Sequence, residues 1–168
     1  MKDFYDLRQL MVYFLETLHD TEMRWSQAVR ELYDETHSPE LREHLYRSAE
    51  VVNNHVRILN EILKELQDRH MLQQPAVLKG LMAEMQVLIA AAQDPEVRDA
   101  ALLACHQTVN HFKIAQYGTV CSYARLLGEL KIAASIHHLL EEEKTADQAL
   151  TALAEAKVNR EARRPLIR

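Results

Sequence analysis

An all-α fold, a bundle of four long helices, is what this sequence predicts, and three observations predict it. The 168 residues include only three Gly and four Pro, against an abundance of Ala, Leu, Glu, Gln and Arg, residues that lose little entropy in a helix. The prolines fall at intervals that divide the chain into a few long apolar-periodic segments rather than many short ones. The length suits one domain able to bury roughly two thirds of its unfolded surface with no disulfide or metal as a prop.

The first helix runs from about Asp3 to Glu35 and stops before "THSPE". The second opens at Pro39, behind the capping hydroxyl of Ser38, and runs to about Arg69. A shorter third helix lies between the break "QQPAV" and Ala92, starting at Pro75. The fourth opens at Pro95 behind Asp94, again a cap followed by Pro and Glu in the first turn, and ends at Leu127, where Gly128 breaks it. The fifth runs from about Leu130 to Ala156. The four long helices, at about 27 to 33 residues, span about 40 to 50 Å, the proportions of a bundle. Tight turns make the first and last pairs antiparallel hairpins, and the connection between them carries the short helix. One such long crossover is the ferritin-like arrangement.

Residues 1–157 form the expected bundle and 158–168 a basic tail. Counted from Lys157 to Arg168, the basic residues Lys157, Arg160, Arg163, Arg164 and Arg168 face the single acid Glu161, a net of +4 that leaves about -9 on residues 1–156 of a chain whose total is -5. That acidic body argues against nucleic acid as the main partner. Pro165 and the absent apolar period predict that truncation from about Val158 leaves the fold intact. Cys105 and Cys121 lie on one predicted helix, about 24 Å apart at 1.5 Å per residue, too far to bridge, and read as reduced core residues. The run "LMVYFL" is short and flanked by Asp3, Asp6 and Glu16, so it fits neither a signal peptide nor a membrane span. A cytoplasmic location is the default expectation. Leu10, Val12, Tyr13 and Phe14 suggest more apolar surface than one core absorbs, hence a homodimer.

Phosphate-cradling glycine loops, Cys-x-x-Cys pairs and nucleophile elbows are absent from the sequence. What it offers is a bundle rich in carboxylates with nine histidines, the materials of a di-metal carboxylate site. Six segments carry a resemblance: "LHDTEMR", "SPELREHL", "DPEVRDAAL", "NHFKIAQYGT", the Leu127-Gly128 helix end and "LLEEEKTADQALTALA". In this order they resemble the YciF-like stress proteins of the ferritin-like superfamily. That resemblance implies a bundle, usually dimeric, induced under stress, with a centre similar to the di-iron site of rubrerythrin-type proteins.

Carried over position by position, the resemblance retains Glu22 on the first helix and Glu142, Glu143, Lys144 and Asp147 on the fifth. On the second helix the family's Glu-Thr-x-x-Gln or His becomes Val51, Val52 and His55, and on the fourth its two acids become Asn110 and Lys113. Spacing supports the register: Glu22 precedes Val51 by 29 residues and Lys113 precedes Glu143 by 30, while Val51 with His55 and Glu143 with Asp147 are i, i+4 pairs.

Carboxylates at Glu22, Glu143 and Asp147 inside a bundle need a compensating cation, which metals would supply and which Lys113 can supply itself. Lys113 snorkelling to solvent is the alternative. The expected remnant site is therefore Glu22, Val51, His55, Asn110, Lys113, Glu143 and Asp147, with no catalytic residue and no cofactor. If a reduced site survives, iron or manganese would bind through Glu22, His55, Glu143 and Asp147. Tyr117 reads as a core residue with its hydroxyl bonded nearby, and His55 and His111 as satisfied or surface histidines rather than metal ligands. Three functions compete: a non-catalytic stress-associated protein acting by association, a metal-handling protein or oxidoreductase, and a nucleic-acid-associated protein using the tail.

Overall fold

The computed structural model describes residues 3–66 and 76–163, and among these every regular element is helical. The chain forms α1 (Leu7–Glu35), α2 (Pro39–Leu66), α3 (Ala76–Ala91), α4 (Pro95–Leu126) and α5 (Leu130–Leu153), then a π-turn, Ala154–Val158, and a last short α6 (Asn159–Ala162). α1 starts at Leu7 rather than at Asp3, because Asp6 is extended and its side chain accepts from Gln9 N at 2.7 Å, which ends the helix there. The expected end of α2 at Arg69 and start of α3 at Pro75 lie outside the described residues. α4 opens as its sequence predicts, with Asp94 Oδ1 accepting from Glu96 N and Val97 N at 2.9 and 3.2 Å.

Both hairpin turns have a local chemical cause. Between α1 and α2, Thr36 Oγ1 donates to Leu32 O at 2.6 Å, and Ser38 Oγ accepts from Leu41 N at 3.4 Å. Buried Asp99 of α4 accepts from His37 N and Ser38 N at 2.9 and 2.5 Å, tying this turn to the second hairpin. Between α4 and α5 the chain reverses at Gly128, whose φ of +74° belongs to the left-handed region where a Cβ is strained.

α1 packs on α2 and α4, and α5 packs on α4 and α2, so the four long helices form a ring of neighbours. Two apolar clusters fill it. One gathers Met11, Leu15 and Leu18 with Leu59, Tyr117, Val120 and Ile136; the other gathers Trp25, Val29 and Leu32 with Leu41, Leu45, Val109 and Leu150. Adjacent helices are thus antiparallel while α2 and α4 run the same way, and their connection, which contains α3, has to return along the bundle.

Two expectations change here. Val12 is fully buried in this chain's own core, so it is not part of an exposed apolar patch. Val158, assigned by sequence to the solvated tail, is 1% exposed and packs in the second cluster, and Lys157 pairs with Glu40 at 2.5 Å. A π-turn inserts one residue into the helical count, rotating Val158 back onto the apolar face as the chain continues to Ala162.

Candidate functional site

Between the two apolar clusters lies one polar layer, to which each long helix contributes a residue. The inward stripe of α1 reads Leu18, Glu22, Trp25; that of α2 reads Val52, His55, Leu59; that of α4 reads Val109, Lys113, Tyr117; that of α5 reads Leu139, Glu143, Leu150. These are helical repeats of three, four and seven, so the apolar pattern that forms the bundle also aims Glu22, His55, Lys113 and Glu143 at one point. All four are at most 3% exposed.

The Lys113 ammonium sits between two carboxylates, donating to Glu143 Oε1 at 2.7 Å and Glu22 Oε2 at 3.1 Å. It points inward and does not snorkel. His55 Nδ1 is 3.2 Å from both Glu22 Oε1 and Glu143 Oε1, and its Nε2 is 2.8 Å from Glu142 Oε2. The Tyr117 hydroxyl donates to Glu22 Oε1 at 2.7 Å, and Asn110 Nδ2 donates to Glu143 Oε2 at 2.5 Å. Every carboxylate oxygen of Glu22 and Glu143 therefore faces a donor from the protein itself.

Electrostatics follow from this geometry. Burial alone would raise the Glu22 pKa, but Lys113, His55 and Tyr117 together lower it to about 2. Burial would likewise lower that of His55, yet hydrogen bonds and charges from Glu143 and Glu22 raise it to about 9. With both ring nitrogens against carboxylates, the imidazolium is the form the surroundings select. For Lys113 the attraction of Glu143 and Glu22 outweighs burial and raises the pKa. Burial and the same carboxylates push Tyr117 well above its ordinary value. The layer holds two carboxylates and two cations, a balanced set.

The structure thus brings together Glu22, His55, Asn110, Lys113 and Glu143. Val51 and Asp147 stand elsewhere. Val51 is 38% exposed, because Val52 and His55, three residues apart, take the inward stripe and Val51 is rotated about 100° from Val52. Asp147 is half-buried at the edge of α5, with Oδ1 3.1 Å from Nε2 of exposed His111. Glu142, retained by the resemblance but absent from the expected site set, links His55 to the surface. Its signal was the pair Glu142–Glu143 itself, since adjacent helical residues diverge by about 100° and one can stay inside while the other reaches the rim.

Glu22, His55 and Glu143 each present a ligand atom, all within 4.8 Å of one another, so among the described residues they are the candidate metal set. Among the described residues no helix is long and apolar enough to cross a membrane.

Comparison with known proteins places this architecture. The family described as a domain of unknown function, DUF892, matches residues 6–163. The protein YciF of Escherichia coli (strain K12) is 29% identical over 157 residues, 93% of this chain and 95% of that one. A crystal structure of the E. coli stress protein YciF superposes with a TM-score of 0.85 at 29% identity, covering 93% of this chain and 99% of that one. The structure of YcfI from Rhodopseudomonas palustris gives a TM-score of 0.85 at 25% identity, covering 89% and 96%.

Proposed function

Because the chain belongs to the DUF892 family, we propose that it is a stress-associated helical bundle of the YciF kind that acts by association, its polar layer serving structure rather than catalysis. The observation that carries this reading is Lys113 Nζ between Glu22 and Glu143 at 3.1 and 2.7 Å. A divalent ion at the Glu22–His55–Glu143 set would have to displace an ammonium whose charge, together with that of the His55 imidazolium, already balances the two carboxylates. It would also have to break donors on every oxygen it needs. A neutral His55 as ligand would further require loss of the proton that Glu22, Glu143 and Glu142 favour. The residues present fit an internal ion-pair layer and do not fit a di-metal centre.

Association is proposed as homodimerisation. Tyr33 and Tyr46 are exposed on α1 and α2 and line a largely apolar cavity of about 300 Å³ together with Val29, Leu45 and Ala49, with Arg30 and Asp34 as its charged lining residues. Sedimentation at micromolar concentration should give twice the monomer mass; a monomer would reject this part of the proposal.

The metal part is tested by elemental analysis of tag-free protein prepared without chelator, together with thermal unfolding in Fe²⁺ or Mn²⁺. The parent is expected to carry under one equivalent and show no shift. Lys113→Glu, which exchanges the ammonium for a third carboxylate, is expected to melt higher as metal is added. A parent holding more than one tightly bound equivalent of iron or manganese would replace this reading with the metal-handling one.

A further inference from the structure

One turn from Glu22 on α1, and two turns from Lys113 toward the N-terminus of α4, the interior contains a second polar group that the ion-pair network does not use. The indole of Trp25 on α1 packs on His106 of α4, ring centroids 5.1 Å apart, and His106 in turn meets His44 of α2 at 5.6 Å. Trp25 is fully buried and His106 is 2% exposed. Yet Trp25 Nε1, His106 Nδ1 and His44 Nε2 find no hydrogen-bond partner among the described residues. Nor do Thr21 Oγ1, one turn from Trp25 on the same face of α1, and Asn110 Oδ1, one turn from His106 on the same face of α4.

Buried polar atoms are seldom left unbonded, so five of them grouped on three facing helices need a ligand. Their chemistry narrows it. Trp25 Nε1 can only donate and Asn110 Oδ1 can only accept, while the Thr21 hydroxyl and the two imidazoles can do either. An anion would leave Asn110 Oδ1 opposed to another acceptor. A metal cation would find two imidazoles and no carboxylate, with the Lys113 ammonium one turn past Asn110. Burial, with His44 and Lys113 as neighbours, lowers the His106 pKa to about 3 despite Glu143, so this imidazole is neutral and adds no charge to the group. His44 also lines a surface cavity of about 400 Å³ with Pro39, Glu40, Glu43, Arg47 and Leu153.

We infer that Thr21, Trp25, His44, His106 and Asn110 form an internal hydration site, a small cluster of bound water reached from the cavity beside His44 and ending against Glu143 through Asn110. Solvent then approaches the charged layer from two sides, this one and the Glu142 rim. The inference is independent of whether the layer ever holds metal.

Trp25 is the single tryptophan, so its indole N–H gives one unambiguous resonance. In ¹⁵N-labelled protein this proton should show a cross-peak to water, and should exchange at least about tenfold faster than the slowest amides of α4. His44→Leu, at the half-buried mouth, should slow that exchange. An indole as protected as those amides, without a water cross-peak, would overturn the inference. A second measurement does not depend on the tryptophan. If Thr21 were dry and unbonded, Thr21→Val would remove an uncompensated hydroxyl and raise the melting temperature by about 2–4 °C or more; hydrated, it should leave it unchanged or lower. Stoichiometric quenching of Trp25 by Zn²⁺ or Cu⁺ that disappears in His44→Leu would also overturn it, by showing a metal site instead.

Discussion

Replacing Lys113 with Met tests the charged layer most directly. Met keeps most of the stem volume, so the cavity contribution is small and the lost quantity is the ammonium held at 2.7 and 3.1 Å from two buried carboxylates. Breaking one partner out of a buried pair costs about 3–5 kcal/mol. For a domain of this size about 1 kcal/mol corresponds to about 2–4 °C, so the melting temperature should fall by about 6–20 °C. The depressed Glu22 pKa, from 4.5 to about 2 in the parent, points the same way, since against burial Lys113 is the first of the groups that lower it, ahead of His55 and Tyr117. A group depressed on folding contributes stability that is present above its unfolded pKa and lost as pH falls through its folded one. The gap between parent and variant should therefore be widest near neutrality and shrink between pH 4.5 and about 2. Urea unfolding followed by circular dichroism across that range measures both. A loss below about 1 kcal/mol, or a gap that does not narrow with acid, would refute the ion-pair account.

On the alkaline side the sign reverses for His55, raised from 6.5 to about 9, so its contribution is full below pH 6.5 and lost as pH rises through 9; urea midpoints should decline over that interval, and a flat profile would contradict the imidazolium. Tyr117→Phe removes the 2.7 Å donor to Glu22 and should cost about 1.5–3 kcal/mol, whereas Asp147→Asn, at the edge of the bundle, should stay within about 0.5 kcal/mol by the same unfolding assay. Truncation at Val158 removes a fully packed side chain and should destabilise by about 1.5–3 kcal/mol, while truncation from exposed Arg163 should leave the melting temperature unchanged.

The order of the five main helices and most of their described boundaries are legible in the chain because they rest on local causes. Asp94 caps α4 through its own neighbours' N–H groups, and Gly128 turns the chain by its own φ, whatever the rest of the molecule does. The expectation that Glu22, His55, Lys113 and Glu143 share one site comes from the family resemblance, with the spacings of 29 and 30 residues in support of its register. Rotational phase was not legible. A single residue turns a helix by about 100°, so spacing alone could not tell Val51 from Val52 as the inward position, nor send Asp147 to the edge of the bundle beside His111. Nor could local pattern reveal that a π-turn returns Val158 to the core, or that Trp25, His44 and His106, from three separate helices, bring unpartnered nitrogens together. Those are relations among helices, set by how the whole bundle packs, and a sequence states only what each helix carries on its own faces.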